Sequence, residues 1–102
     1  MYDAVFNLIP CNEQQRITAA KISRLLGIKE AEVRHWVNRM RSSGVPVCSD
    51  RRGYYISNNA EHVKTQIASM ENRISAMQNA IGGLNLFLAG TGRSFWNNAI
   101  LH

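Results

Sequence analysis

Between Arg34 and Arg52 the chain carries five arginines, Arg34, Arg39, Arg41, Arg51 and Arg52, and a single acid, Asp50. A guanidinium holds its donors in a planar fork that grips phosphate, or donates two hydrogen bonds to the major-groove edge of guanine. His35 and Asn38 lie among these arginines, and asparagine can pair bidentately with adenine. This is the chemistry of anion and base-edge contact. For bond-breaking chemistry the sequence offers no phosphate-cradling GxxxxGK[ST], no HExxH and no nucleophile elbow. Cys11 and Cys48 stand far apart, with no CxxC and no histidine at zinc-like spacing. The expectation is a non-enzyme with no catalytic residue, no metal and no cofactor. Its two thiols are expected to be reduced, as in a cytoplasmic protein.

The elements that must position these side chains follow from hydrophobic spacing. Tyr2, Val5, Phe6 and Ile9 form one face of a first helix, which Pro10 stops. Residues 11–16 read as a polar loop, and Ile17 as the start of a very short strand. Thr18 caps a second helix over residues 19–26, with Ile22, Leu25 and Leu26 inward and Gly27 at its end. A third helix over residues 30–42 buries Val33, Val37 and Met40. Ala31, His35, Asn38 and Ser42 then point away from the core, flanked by Glu32, Arg34, Arg39 and Arg41. Trp36, beside the buried stripe, reads as core or subunit contact. Residues 45–49 and 54–57 are short β-type runs around a turn at residues 50–53. They predict a hairpin with Arg51 and Arg52 at its tip, Tyr54 and Ile56 inward and Tyr55 outward.

After Asn58 and Asn59, either of which could cap, a long helix begins. Val63, Ile67, Met70, Ile74, Met77, Ile81, Leu84 and Leu88 repeat with alternating spacings of four and three. That is a heptad seam, with Ile67, Ile74, Ile81 and Leu88 at a and the others at d. Such a stripe predicts dimerisation, with a trimer or tetramer left open because methionine at d specifies strand number poorly. The e and g positions are mostly uncharged, including Gln66, Gln78, Ala80 and Asn85, so charge does not separate parallel from antiparallel pairing. Gly82 and Gly83 weaken the helix by about 1 kcal/mol each relative to alanine. The domain reading is 1–59, 60–90 for the dimerisation helix, and a tail, 91–102, that folds back or stays disordered.

The chain of 102 residues has 12 Lys and Arg against 7 Asp and Glu, a net charge of +5. A basic surplus suits nucleic acid or an anionic membrane surface. The most apolar run, residues 80–89, is too short to span a bilayer, and the first residues lack the pattern of a signal peptide. A soluble cytoplasmic protein with no membrane partner is therefore expected. Polar outer faces of helices are usually just solvated, and arginines at a hairpin tip can block edge pairing. Here the surplus is concentrated on two elements. Helix, short helix, tight turn, helix and hairpin is also the element order of a winged helix. Its third helix would enter the major groove, with the hairpin as the wing. The expected fold class is mainly α with a small β-hairpin: a winged helix-turn-helix followed by a long coiled-coil-like helix.

Residues 17–57 resemble the winged-helix domain at the N-terminus of biotin protein ligase-type repressors. They resemble still more closely small winged-helix proteins of bacteriophages and prophages. The resemblance rests on Leu25-Leu26-Gly27-Ile28, Val33-Arg34 with Val37, Met40-Arg41 with Gly44, and Gly53-Tyr54-Tyr55-Ile56. It covers about two-fifths of the chain. Too little chain follows residue 57 for a ligase domain, so it does not extend to catalysis. Lys29 stands where such domains often carry a capping Ser or Thr. The resemblance implies sequence-specific binding of double-stranded DNA by a dimeric transcriptional regulator. Arg34, His35 and Asn38 are the candidates for bases; Arg39, Arg41, Arg51 and Arg52 are those for phosphates or, at the wing, the minor groove. Two alternatives stay open: a phage DNA-replication or recombination accessory, and a scaffold whose winged helix binds a protein partner.

Overall fold

A computed structural model describes residues 1–90 and divides into a first unit, Met1–Ile67, and a second from Ala68 onward. The tail expected at 91–102 lies outside the described residues. The first unit contains α1 (Tyr2–Leu8), a 3-10 helix (Glu13–Gln15), α2 (Ala19–Leu26), α3 (Glu30–Ser42), β1 (Val47–Asp50) and β2 (Gly53–Ile56). It also contains the opening turns of α4 (Ala60–Leu88). Val5, Ile9, Ile22, Val33, Val37, Met40 and Val47 form its core.

Each helix begins and ends for a local reason. The Thr18 hydroxyl accepts a bond from the Lys21 N–H at 3.1 Å and caps α2. Gly27 closes α2 in the left-handed region at φ 65°. The Ser23 hydroxyl donates to the Ile28 carbonyl, while the Ile28 N–H donates to the Ser23 carbonyl at 3.2 Å, which fixes the turn into α3. Lys29 supplies no side-chain cap; Glu30 and Glu32 in the first turn complement the helix dipole instead. Residues 11–16, expected as loop, include the 3-10 turn because the Asn12 side chain accepts from the Gln14 N–H at 2.8 Å.

Two inward assignments are corrected. Leu25 is 58% exposed: Ala19, Ile22 and Leu26 occupy the core arc of α2, and Leu25 falls roughly a quarter turn away from its centre. Phe6 is 37% exposed because Tyr2 and Leu8 flank Val5 on α1 and leave Phe6 at the rim.

β1 and β2 pair antiparallel, Val47 opposite Ile56 and Asp50 opposite Gly53, so the turn is Arg51-Arg52. Ile17 adds a single antiparallel bridge to Tyr54. Tyr54 and Ile56 pack on the core as expected. Tyr55, expected outward, is buried together with Cys48. The hairpin has cover on its second face as well. The Arg16 guanidinium lies 4.8 Å from the Tyr55 ring centroid, and His62 of α4 meets that ring edge-on at 6.0 Å. Gln66, also on α4 and buried, accepts from the Ser49 N–H at 2.8 Å.

In the second unit, α4 remains helical through Gly82 and Gly83 to Leu88, and Gly90 follows at φ 89°. Among the described residues, no helix is long and apolar enough to cross a membrane.

Candidate nucleic-acid interface

Burial of Val33, Val37 and Met40 fixes the rotation of α3 about its axis. Arg34, His35, Asn38 and Arg39 are all exposed, and their spacing places them on neighbouring rows of the opposite side. Trp36, half-buried, holds α3 against α1: its ring meets Tyr2 edge-on at 6.4 Å and His35 at 4.9 Å. The His35 ring is thereby given a fixed neighbour. The Ser42 hydroxyl donates to the Asn38 carbonyl at 2.9 Å, and that of Ser43 to the Arg39 carbonyl at 3.0 Å. Those two hydroxyls serve the helix backbone, while the Asn38 amide and the Arg34 and Arg39 guanidinium groups project from it.

Arg41 is placed differently from its neighbours. Its Nε donates to the Val47 carbonyl at 2.8 Å and an Nη donates to the Ser49 hydroxyl at 3.1 Å. It ties the end of α3 to β1.

Arg51 and Arg52 are exposed at the hairpin turn. Asp50 sets that turn: its Oδ1 accepts from the Arg52 N–H at 2.8 Å. Its Oδ2 lies 3.1 Å from an Nη of Arg16. Among the described residues, no carboxylate is within ion-pair distance of Arg34, Arg39, Arg51 or Arg52. The one acid in the arginine-rich stretch is thus already paired.

Sequence reading missed a second polar chain behind the hairpin. Ser57 shares a hydrogen bond with His62 Nδ1 at 3.1 Å, and His62 Nε2 lies 3.6 Å from Glu13. The Ser57 hydroxyl also accepts from the Asn59 N–H at 3.1 Å, so it is held as part of the entry to α4. On the same face, burial pushes the Cys48 thiol above its ordinary range, partly offset by Arg41 and by a bond with Tyr55. Burial, reinforced by Cys48, pushes Tyr55 up as well. Among the described residues, no group of three or more His, Cys, Asp or Glu is arranged to hold a metal ion.

All eight heptad residues fall on α4. Val63 and Met70 are half-buried. Ile67, Ile74, Met77, Ile81, Leu84 and Leu88 are between 50% and 79% exposed.

Comparison of the chain with known protein families, with characterised proteins and with solved structures gave no match.

Proposed function

We propose that this chain is a winged helix-turn-helix protein that binds specific sites in double-stranded DNA as a dimer. In this reading it is a transcriptional regulator of the kind phages and prophages encode. α2 and α3 form the helix-turn-helix, Ile17 with β1 and β2 the wing, and α4 the dimerisation helix. The observation that carries the reading is the state of the arginines. Arg34 and Arg39 on α3, and Arg51 and Arg52 on the hairpin, are exposed with no carboxylate on them, while Asp50 is held by Arg16. Cations left unpaired on two elements, beside an exposed asparagine and histidine, suit a partner that offers phosphates and base edges together. Arg34, His35 and Asn38 contact bases, and Arg39, Arg51 and Arg52 contact phosphates. Arg41 positions the hairpin against α3.

The seam of α4 supplies the dimer. Its exposed apolar residues cannot be covered by water at no cost, and covering each is worth about 1–2 kcal/mol.

A salt titration of duplex binding tests the reading, joined to selection of bound duplexes from a random pool. The expected result is affinity that falls steeply with salt and a palindromic motif among the selected duplexes. Steep salt dependence without any motif would favour a replication or recombination accessory. Absence of duplex binding at low salt would overturn the DNA reading and leave the scaffold.

A further inference from the structure

Asp50 is the only acid between Arg34 and Arg52, and it begins the turn whose tip is Arg51-Arg52. A carboxylate in that position is a competitor. Arginine forks pair with carboxylates as readily as with phosphates, and a neighbour in the same turn has the advantage of proximity. For the tip to reach a phosphate, that competitor must be occupied by something else.

Arg16 occupies it. One carboxylate oxygen of Asp50 lies 3.1 Å from an Nη of Arg16, and the other accepts from the Arg52 backbone N–H at 2.8 Å. Arg16 itself is fixed independently of Asp50. Its other Nη donates to the Glu13 carbonyl at 2.8 Å, and its guanidinium lies over the Tyr55 ring. The next residue, Ile17, is bridged to Tyr54 in both directions, at 3.1 and 2.7 Å. The Arg16 side chain is 17% exposed and that of Asp50 is 43% exposed. The cation is thus anchored to the body of the unit, and the acid is drawn back toward it.

Stability alone is a weak reason for this arrangement. An ion pair with one partner this exposed contributes little to folding. The Arg16 Nε is also buried without an acceptor, a cost that an arginine placed only for stability would not favour.

We propose that Arg16 is a positioning residue of the nucleic-acid interface, holding Asp50 so that Arg51 and Arg52 meet phosphate without an intramolecular rival. This rests on the DNA-binding reading above. Arg16 touches no phosphate itself; it acts through Asp50.

The test is a set of affinities for one random-sequence duplex of about 20 base pairs at fixed low salt, with folding of each variant checked by circular dichroism. Arg16→Gln is expected to weaken binding about tenfold, and Asp50→Asn alone to change it by less than about twofold. The double variant is expected to return to within about twofold of the wild type. Glu71→Gln removes the same charge from α4, and in the Arg16→Gln background it is expected to leave the loss in place. Where Arg16→Gln does not fold, Arg16→Lys keeps the charge without the fork. A smaller loss is then expected, about threefold, again restored by Asp50→Asn. A loss that Asp50→Asn fails to restore, or that Glu71→Gln restores equally well, overturns the inference and leaves duplex binding standing. No loss in either Arg16 variant does the same. A wild-type chain that does not bind the duplex overturns the DNA reading and this inference with it.

Discussion

A Cβ atom on Gly53 would lie 2.5 Å from the carbonyl oxygen of Ile17 and 2.6 Å from its carbonyl carbon. Gly53 also has φ +131°, a region that side chains with a Cβ rarely enter. The close approach exists because the Tyr54 N–H donates to that same Ile17 carbonyl at 2.7 Å. Gly53 is therefore required both by the turn that presents Arg51 and Arg52 and by the bridge that fastens the hairpin to the start of α2.

Gly53→Ala is accordingly expected to destabilise the protein by about 2–4 kcal/mol, since strain and clash act at one residue. Urea unfolding of the wild type and the variant measures it. A loss below about 0.5 kcal/mol would mean that the bridge to Ile17 is not held in solution.

The two parts of the candidate interface should respond differently to substitution. On the proposed DNA-binding reading, Arg51→Ala with Arg52→Ala removes contacts to phosphate. Affinity should then fall by a similar factor for every duplex, and its dependence on salt should become shallower. On the same reading, Asn38→Ala removes a bidentate base contact and should cost about 1–3 kcal/mol at one base position. Binding to a set of single-base variants of a selected site separates the two outcomes. A uniform loss from Asn38→Ala would make it a phosphate contact. An unchanged salt slope in the arginine variant would remove the hairpin from the interface.

How much of this was legible in the sequence depended on the range of the interaction. The bounds of α2 and α3 and the burial of Val33, Val37 and Met40 follow from a helical period and local caps. Leu25 and Phe6 were misplaced because spacing defines an arc but not which of its flanks meets a neighbour. Tyr55 was misplaced because strict alternation assumes a hairpin with one covered face. The second cover comes from Arg16, His62 and Gln66, on either side of the hairpin in sequence. Arg41 sits on the flank of α3 that the period predicts, yet its long side chain turns back to β1. A helical wheel places a Cα, not a guanidinium. The pairing of Asp50 with Arg16, and of His62 with Ser57 and Glu13, leaves no periodic trace at all.

Stability should decline on the alkaline side. Burial pushes the thiol of Cys48 above its ordinary 9.0 and the phenol of Tyr55 above its ordinary 10.0. Both groups are neutral when protonated, and the folded chain holds those protons to higher pH than the unfolded chain does. Their contribution is therefore complete below about pH 9 and is lost as pH rises through the folded values. Denaturant midpoints measured between about pH 7 and pH 10.5 should be level at first and then fall, with Cys48→Ala reducing the fall. A midpoint that stays level to the end of that range would contradict the burial of both groups.

The opening turns of α4 are engaged within the first unit, where Gln66 holds the Ser49 N–H and His62 packs on Tyr55. The exposed seam proposed for dimerisation therefore begins at Ile67 and runs to Leu88, a length of about 32 Å at 1.5 Å per residue. Its a positions are Ile67, Ile74, Ile81 and Leu88. Isoleucine at three of the four favours two strands, although methionine at d specifies strand number weakly. A chain ending at Asn59 would also strip Gln66 from the hairpin, so substitution within the full chain separates assembly from folding more cleanly. Light scattering at micromolar concentration is expected to give a dimer for the wild type and a monomer for Ile74→Glu with Ile81→Glu. Those two residues are exposed in the single chain, so the protection of buried Cys48 against thiol reagents should be unchanged. A wild-type chain that is monomeric under these conditions, or a double variant that remains dimeric, would remove α4 as the dimerisation element.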